Sequence, residues 1–186
     1  VQGFGNVGAF TVKNIQKLGG TVVAVAEWAK EVGPYAIYKE DGLDFQAMWD
    51  YRAEKGNLVD FPGSKMISMD EFWSAQVDVV VPAALENSID AAVAEKIQAK
   101  LVCEAANGPT TPEGDEVLNR KGIILTPDIL TNAGGVTVSY FEWVQNLYGY
   151  YWSEAEVEAK EDEAMVKAFE ALWAIKEEYG VTMRES

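Results

Sequence analysis

Val1-Gln2-Gly3-Phe4-Gly5-Asn6-Val7-Gly8, followed by Thr11, Val12, Ile15 and Leu18 at helical spacing and then by Thr21-Val22-Val23-Ala24-Val25-Ala26-Glu27, is the stretch that decides the fold. Apolar residues recur every three to four positions after Gly8, and Gly19-Gly20 stand where a helix C-cap is expected. Residues 21–26 are apolar and β-branched without alternation, which predicts a strand buried on both faces of a parallel sheet. Strand stub, glycine loop, helix, strand and an acid about twenty residues past the loop together make a dinucleotide-binding unit.

Each glycine has a physical task. Gly3 allows the tight turn, Gly5 lets backbone approach a pyrophosphate, and Gly8 lets the helix pack on the sheet. Phosphate oxygens then meet helix N–H groups and the positive end of the helix dipole, so the loop needs no Lys or Arg. Glu27, expected at the tip of the second strand, can accept hydrogen bonds from adenosine ribose hydroxyls. A 2′-phosphate beside it would meet like charge, so NAD is favoured over NADP, with Lys30 near enough in sequence to offer a counter-charge.

Composition sets the bounds. The chain has 186 residues, 48% of them hydrophobic, enough for one sizeable domain with an appendage. Fifteen Lys and Arg against 30 Asp and Glu give a formal charge of -15, which repels nucleic acid and anionic membrane surfaces. No apolar run is long enough to span a bilayer, and the single cysteine, Cys103, fits a reducing compartment, so the cytoplasm is the expected location. The opening inside a strand implies that a true N-terminus lies upstream of Val1.

Downstream, Asp44 caps an expected helix ended by Gly56-Asn57, and the stretch 28–63 is otherwise irregular. Lys65-Met66-Ile67 reads as a strand and Ser68-Met69-Asp70-Glu71 as a capping box. The strand Val77 to Val81 ends at Pro82, so the chain leaves the sheet at Ala83-Ala84. A helix from about Ser88 to Gln98, the strand Leu101-Val102-Cys103, a helix capped by Thr111 and the strand Ile123-Ile124-Leu125 follow. Such alternation predicts an α/β fold, a doubly wound parallel sheet with helices on both faces, spanning residues 1–150. Residues 151–186 form a C-terminal helical segment whose apolar stripe is Met165, Ala168, Leu172, Ile175 and Tyr179.

Gly-Phe-Gly-Asn-Val-Gly at 3–8, Pro-Ala-Ala at 82–84, Ala-Asn-Gly-Pro-Thr-Thr at 106–111, Pro-Asp at 127–128 and Asn-Ala-Gly-Gly-Val-Thr-Val-Ser at 132–139 go beyond a generic dinucleotide fold. In this order they resemble the coenzyme-binding domain of glutamate dehydrogenases, more closely than the related leucine, valine and phenylalanine enzymes. The resemblance implies oxidative deamination of L-glutamate to 2-oxoglutarate and ammonia, with hydride passing to the nicotinamide of NAD. It implies that Gly3, Phe4, Gly5, Asn6, Val7 and Gly8 surround the pyrophosphate, Glu27 the adenosine ribose, and Ala83 and Ala84 the adenosine side of the groove. Asn107 and Asn132 match positions that hold the nicotinamide ribose and carboxamide, and Val136 and Ser139 positions that touch the substrate. The family's catalytic lysine and aspartate belong to a preceding substrate domain, so no residue here is assigned a catalytic or metal-ligating role. An isolated chain is expected to be inactive, and the full enzyme to be a homohexamer.

Two other functions fit part of the pattern. A non-catalytic nucleotide-binding or interaction module would share the acidic surface and the missing lysine. A methyltransferase would share the glycine loop and the acid, but leaves Asn107 and the segment 132–139 without a task. Cys103 has no histidine anywhere in the chain to activate it as a nucleophile.

Overall fold

A computed structural model describes residues 1–186. Its elements in chain order are α1 (Asn6–Lys17), β1 (Ala24–Ala29), β2 (Gly33–Tyr38), α2 (Phe45–Lys55), β3 (Lys65–Ile67), α3 (Met69–Trp73) and β4 (Val79–Val80). Then come α4 (Ala91–Lys96), β5 (Leu101–Cys103), α5 (Pro112–Arg120), β6 (Ile124–Thr126), α6 (Asp128–Thr131), α7 (Ala133–Tyr148) and α8 (Glu154–Tyr179). The expected caps form: Asp44 accepts from Ala47 N, Thr111 from Gly114 N, and Ser68 with Glu71 closes a capping box. Ser153 and Glu156 close a second box at the start of α8.

The strands form two three-stranded sheets, β1-β2-β3 and β4-β5-β6. Between them runs the segment Val1–Gly3, where Gln2 bridges Ala26 and Pro82, both in parallel. Gln2 N donates to Val81 O at 2.8 Å and Gly3 N to Ala26 O at 2.7 Å, so the first residues stitch the sheets together. The second sheet is parallel, as expected. The first is not: β2 runs antiparallel to both β1 and β3. Pro34 makes the run 33–38 look unlike a strand. It is accommodated because β3 pairs only with Ala36 to Tyr38, leaving Pro34 on an unpaired flank of β2. The hairpin also shifts β1, which runs Ala24–Ala29 where the sequence suggests 21–26 with its tip at Glu27.

Strand alternation separates two cores. Val25 and Ile37 join Phe4, Val12, Met48 and Leu58 under α1 and α2. Ala24, Ala26 and Ala36 join Phe72, Trp73, Ile97, Val102 and Leu118 under α3, α4 and α5. Each fully buried large side chain, such as Ile37 or Leu118, stabilises the fold by about 1.5–3 kcal/mol relative to exposure. The expected stripe of α8 is only partly covered. Met165, Ala168 and Leu172 are half-buried, whereas Ile175 and Tyr179 are exposed and no residue of this helix is fully buried. On α7 and just beyond it, Tyr140, Trp143, Leu147, Tyr148, Tyr150 and Tyr151 are exposed. No helix is long and apolar enough to cross a membrane.

Candidate functional site

Gly3 adopts φ +94°, the left-handed region that a side chain disfavours, and a Cβ there would also stand 2.9 Å from the Ala83 carbonyl oxygen. The turn therefore lies directly against the loop that follows β4. At Gly8 a Cβ would overlap the Gly3 carbonyl, so this glycine seats α1 on the turn. Gly5 differs, because a Cβ there would meet nothing within 4 Å. It is the N-cap of α1, and no side chain caps that helix. The first-turn N–H groups of a helix have no intrahelical acceptor, so Asn6, Val7 and Gly8 offer donors beside open space.

Phe4 departs from expectation. Its ring is fully buried, 6.3 Å from that of Phe45, so its side chain belongs to the core and cannot line a groove. Its N–H donates to Glu27 Oε1 at 3.3 Å. Glu27 lies inside β1, on the face that strand parity gives to α1 and α2. The cation beside it is Arg52 of α2, with Nε 3.3 Å from Oε2, in place of the Lys30 suggested by proximity in sequence. Glu27 is thus a tethered carboxylate with its side chain 10% exposed.

A cavity of about 620 Å³ is lined by Val7, Ala83, Ala84, Leu85, Asn107 and Asn132, among others. Residues more than a hundred positions apart meet there. Asn132 Nδ2 donates to Asn107 Oδ1 at 2.7 Å, joining the loop after β5 to the start of α7. Val136 and Ser139 lie one turn apart on α7, both exposed, and neither lines this cavity. The Ser139 hydroxyl donates to Gly135 O at 3.0 Å, an ordinary intrahelical bond. A second, mostly apolar cavity of about 270 Å³ lies at the other ends of the strands, between Val22–Ala24 and Val77–Val81.

Sequence reasoning missed a polar cluster built on a buried carboxylate next to the amide pair. Glu104 is fully buried; Oε1 accepts from Arg184 Nη2 at 2.7 Å and Oε2 from Asp128 N at 2.9 Å. Asp128 Oδ2 in turn accepts from Gly108 N at 2.8 Å. Burial alone would lower the Arg184 pKa, but Glu104 and then Asp115 outweigh it and hold the guanidinium above its ordinary range. Cys103, on the strand before this cluster, has its thiol pKa pushed up by burial. The signal for Glu104 was a charged residue ending an apolar strand, which alone names no partner.

Comparison with known proteins agrees with this geometry. The family model for glutamate/leucine/phenylalanine/valine dehydrogenase matches residues 1–186. The chain belongs to that dehydrogenase family. It is 74% identical over 186 residues to the NAD-specific glutamate dehydrogenase of Clostridioides difficile and 59% identical to that of Peptoniphilus asaccharolyticus, covering 44% of each. Among solved structures, glutamate dehydrogenase from Peptoniphilus asaccharolyticus superposes with TM-score 0.84 at 54% identity, over 99% of this chain and 41% of that one. The hetero-hexameric glutamate dehydrogenase from Thermus thermophilus gives 0.88 at 32% identity, over 99% and 42%. The chain thus spans less than half the length of the dehydrogenases it matches. The family membership sets aside the methyltransferase reading.

Proposed function

We propose that residues 1–150 are the coenzyme-binding domain of an NAD-dependent glutamate dehydrogenase, built as a doubly wound, Rossmann-type sheet with one reversed strand. Residues 151–186 are the segment that returns toward a substrate domain. The observation that carries the reading is the convergence of the Gly3–Gly8 turn, Ala83, Ala84 and the Asn107–Asn132 pair. The names of the relatives, both NAD-specific, support it.

The residues present suit a dinucleotide. The uncapped start of α1 and the open space at Gly5 fit a pyrophosphate held by Gly5, Asn6 and Val7, with the Phe4 N–H already given to Glu27. Glu27 takes the ribose hydroxyls, and its charge opposes a 2′-phosphate while Arg52 tempers that opposition. Asn107 and Asn132 hold the nicotinamide half, since amides donate and accept without placing a charge beside a ring whose own charge changes. Bound there, the nicotinamide supplies the hydride acceptor for conversion of L-glutamate and water to 2-oxoglutarate and ammonia. Val136 and Ser139 lie on the helix expected to face that substrate. In the full enzyme, a cytoplasmic homohexamer, the catalytic lysine and aspartate come from the other domain, so the 186 residues alone do not oxidise glutamate.

Titration of the chain with NADH and NADPH tests the reading. NADH binds more tightly, and Glu27→Ser narrows the difference. Equal or tighter NADPH binding by the unaltered chain would defeat the coenzyme preference.

A further inference from the structure

We propose that Glu104 and Arg184 are positioning residues for the nicotinamide end of the groove: the ion pair between the buried Glu104 carboxylate and the partly exposed Arg184 sets the geometry of the Asn107–Asn132 amide pair, making the C-terminal residues 182–186 part of the site. The inference rests on the dinucleotide reading above.

The two amides stand on separate limbs. Asn107 sits on the loop after β5, and Asn132 at the junction of α6 and α7. Two carboxylates in series link them. Glu104 Oε2 takes the N–H of Asp128, the residue that opens α6, at 2.9 Å. The Asp128 carboxylate takes the N–H of Gly108, the neighbour of Asn107, at 2.8 Å. The other Glu104 oxygen accepts from Arg184, eighty residues further along the chain. Arg184 is the cation that lies within salt-bridge distance of this carboxylate.

The tail is docked through Met183 and Arg184 and braced within itself. Met183 is buried, Arg184 Nε lies 3.4 Å from Asp115 of α5, and Thr182 and Glu185 bond each other. Without Arg184 a fully buried carboxylate loses its hydrogen-bonded cation and must draw in water, which loosens its hold on Asp128. The Asn107–Asn132 bond of 2.7 Å would then lose its frame. The glycine turn shares none of these contacts, being held by Gln2, Ala26 and Ala83. A positioning role therefore has a signature that general destabilisation lacks: the nicotinamide half weakens while the adenosine half does not.

The test titrates NADH and ADP-ribose in parallel against the 186-residue chain and its variants Arg184→Met, Glu104→Gln and Arg184→Lys, each first checked for cooperative unfolding. Arg184→Met and Glu104→Gln are expected to lower NADH affinity about tenfold, the size of one lost polar anchor, and to leave ADP-ribose within about twofold. Arg184→Lys keeps the cation and recovers most of the loss. Equal loss for both ligands, or unchanged NADH affinity in folded variants, overturns the proposal. So does failure of both Arg184→Met and Glu104→Gln to fold, since the pair would then be a determinant of the fold alone. An unaltered chain that binds neither ligand instead defeats the dinucleotide reading, and this inference with it.

Discussion

Between residues 3 and 8 the groove offers main-chain N–H groups, whereas at Asn107 and Asn132 it offers side-chain amides. The first end is shaped by what glycine omits: a Cβ at Gly3 or Gly8 would strike neighbouring backbone. The second is shaped by what a buried carboxylate attracts, through Glu104, Asp128 and Arg184. Absence of side chains makes the first end partly local: Gly8 closes on Gly3 within the loop, although Gly3 itself lies against Ala83. Pairing of charges makes the second end depend on a residue eighty positions away.

Substitutions can break this contrast. Gly8→Ala should cost the most, about 3 kcal/mol by overpacking, because its methyl would overlap the Gly3 carbonyl; thermal unfolding measures it. At the other end Arg184→Met should destabilise by roughly 1–2 kcal/mol, since it removes the partner of a buried carboxylate while solvent reaches the arginine side of the pair, and a midpoint unchanged from the parent chain would show the pair to be ornamental. Gly5→Ala separates fold from ligand. The cap residue has φ -72° and open space around its Cβ position, so stability should fall by less than about 1 kcal/mol while NADH affinity is lost.

Titrations sharpen the same comparison. Tyr35, opposite Glu27 in the β1–β2 pair, has its phenol pKa pushed up to about 12, chiefly by burial. Because the folded value exceeds the unfolded 10, its contribution to stability is intact below pH 10 and disappears as pH rises through about 12. Phenolate absorbance should show one late step that Tyr35→Phe removes. The smallest effect belongs to Cys103 at the second end: burial raises its thiol pKa, so a disulfide reagent should react slowly at neutral pH and faster once the chain is unfolded.

The sequence made the glycine loop readable because its spacing and the helix after it are short-range features, whereas its contact with Ala83 is not. The glycine spacing and the helix after it carry short-range constraints and appear in the structure, while the strand expected over 21–26 is found at Ala24–Ala29. Strand β2 escaped because Pro34 argues against a strand unless the length of its neighbour is known. For the same reason Glu27 was expected at a strand tip and stands within one. Phe4 was misplaced since a loop residue has no periodicity to say which way its side chain points, and this one points inward. Asn107 and Asn132 were legible only through resemblance to a family. Glu104 with Arg184 was not legible at all, because the tertiary fold alone brings an acid at a strand end to an arginine after a 26-residue helix.

The central claim is that both ends belong to one dinucleotide groove. Its most direct test is equilibrium binding of NADH to the folded 186-residue chain, followed by tryptophan emission, with ADP-ribose as competitor. The account predicts saturable one-to-one binding that ADP-ribose displaces and that Gly5→Ala abolishes without loss of fold. A folded chain with no saturable NADH binding, or binding indifferent to Gly5→Ala, would contradict it.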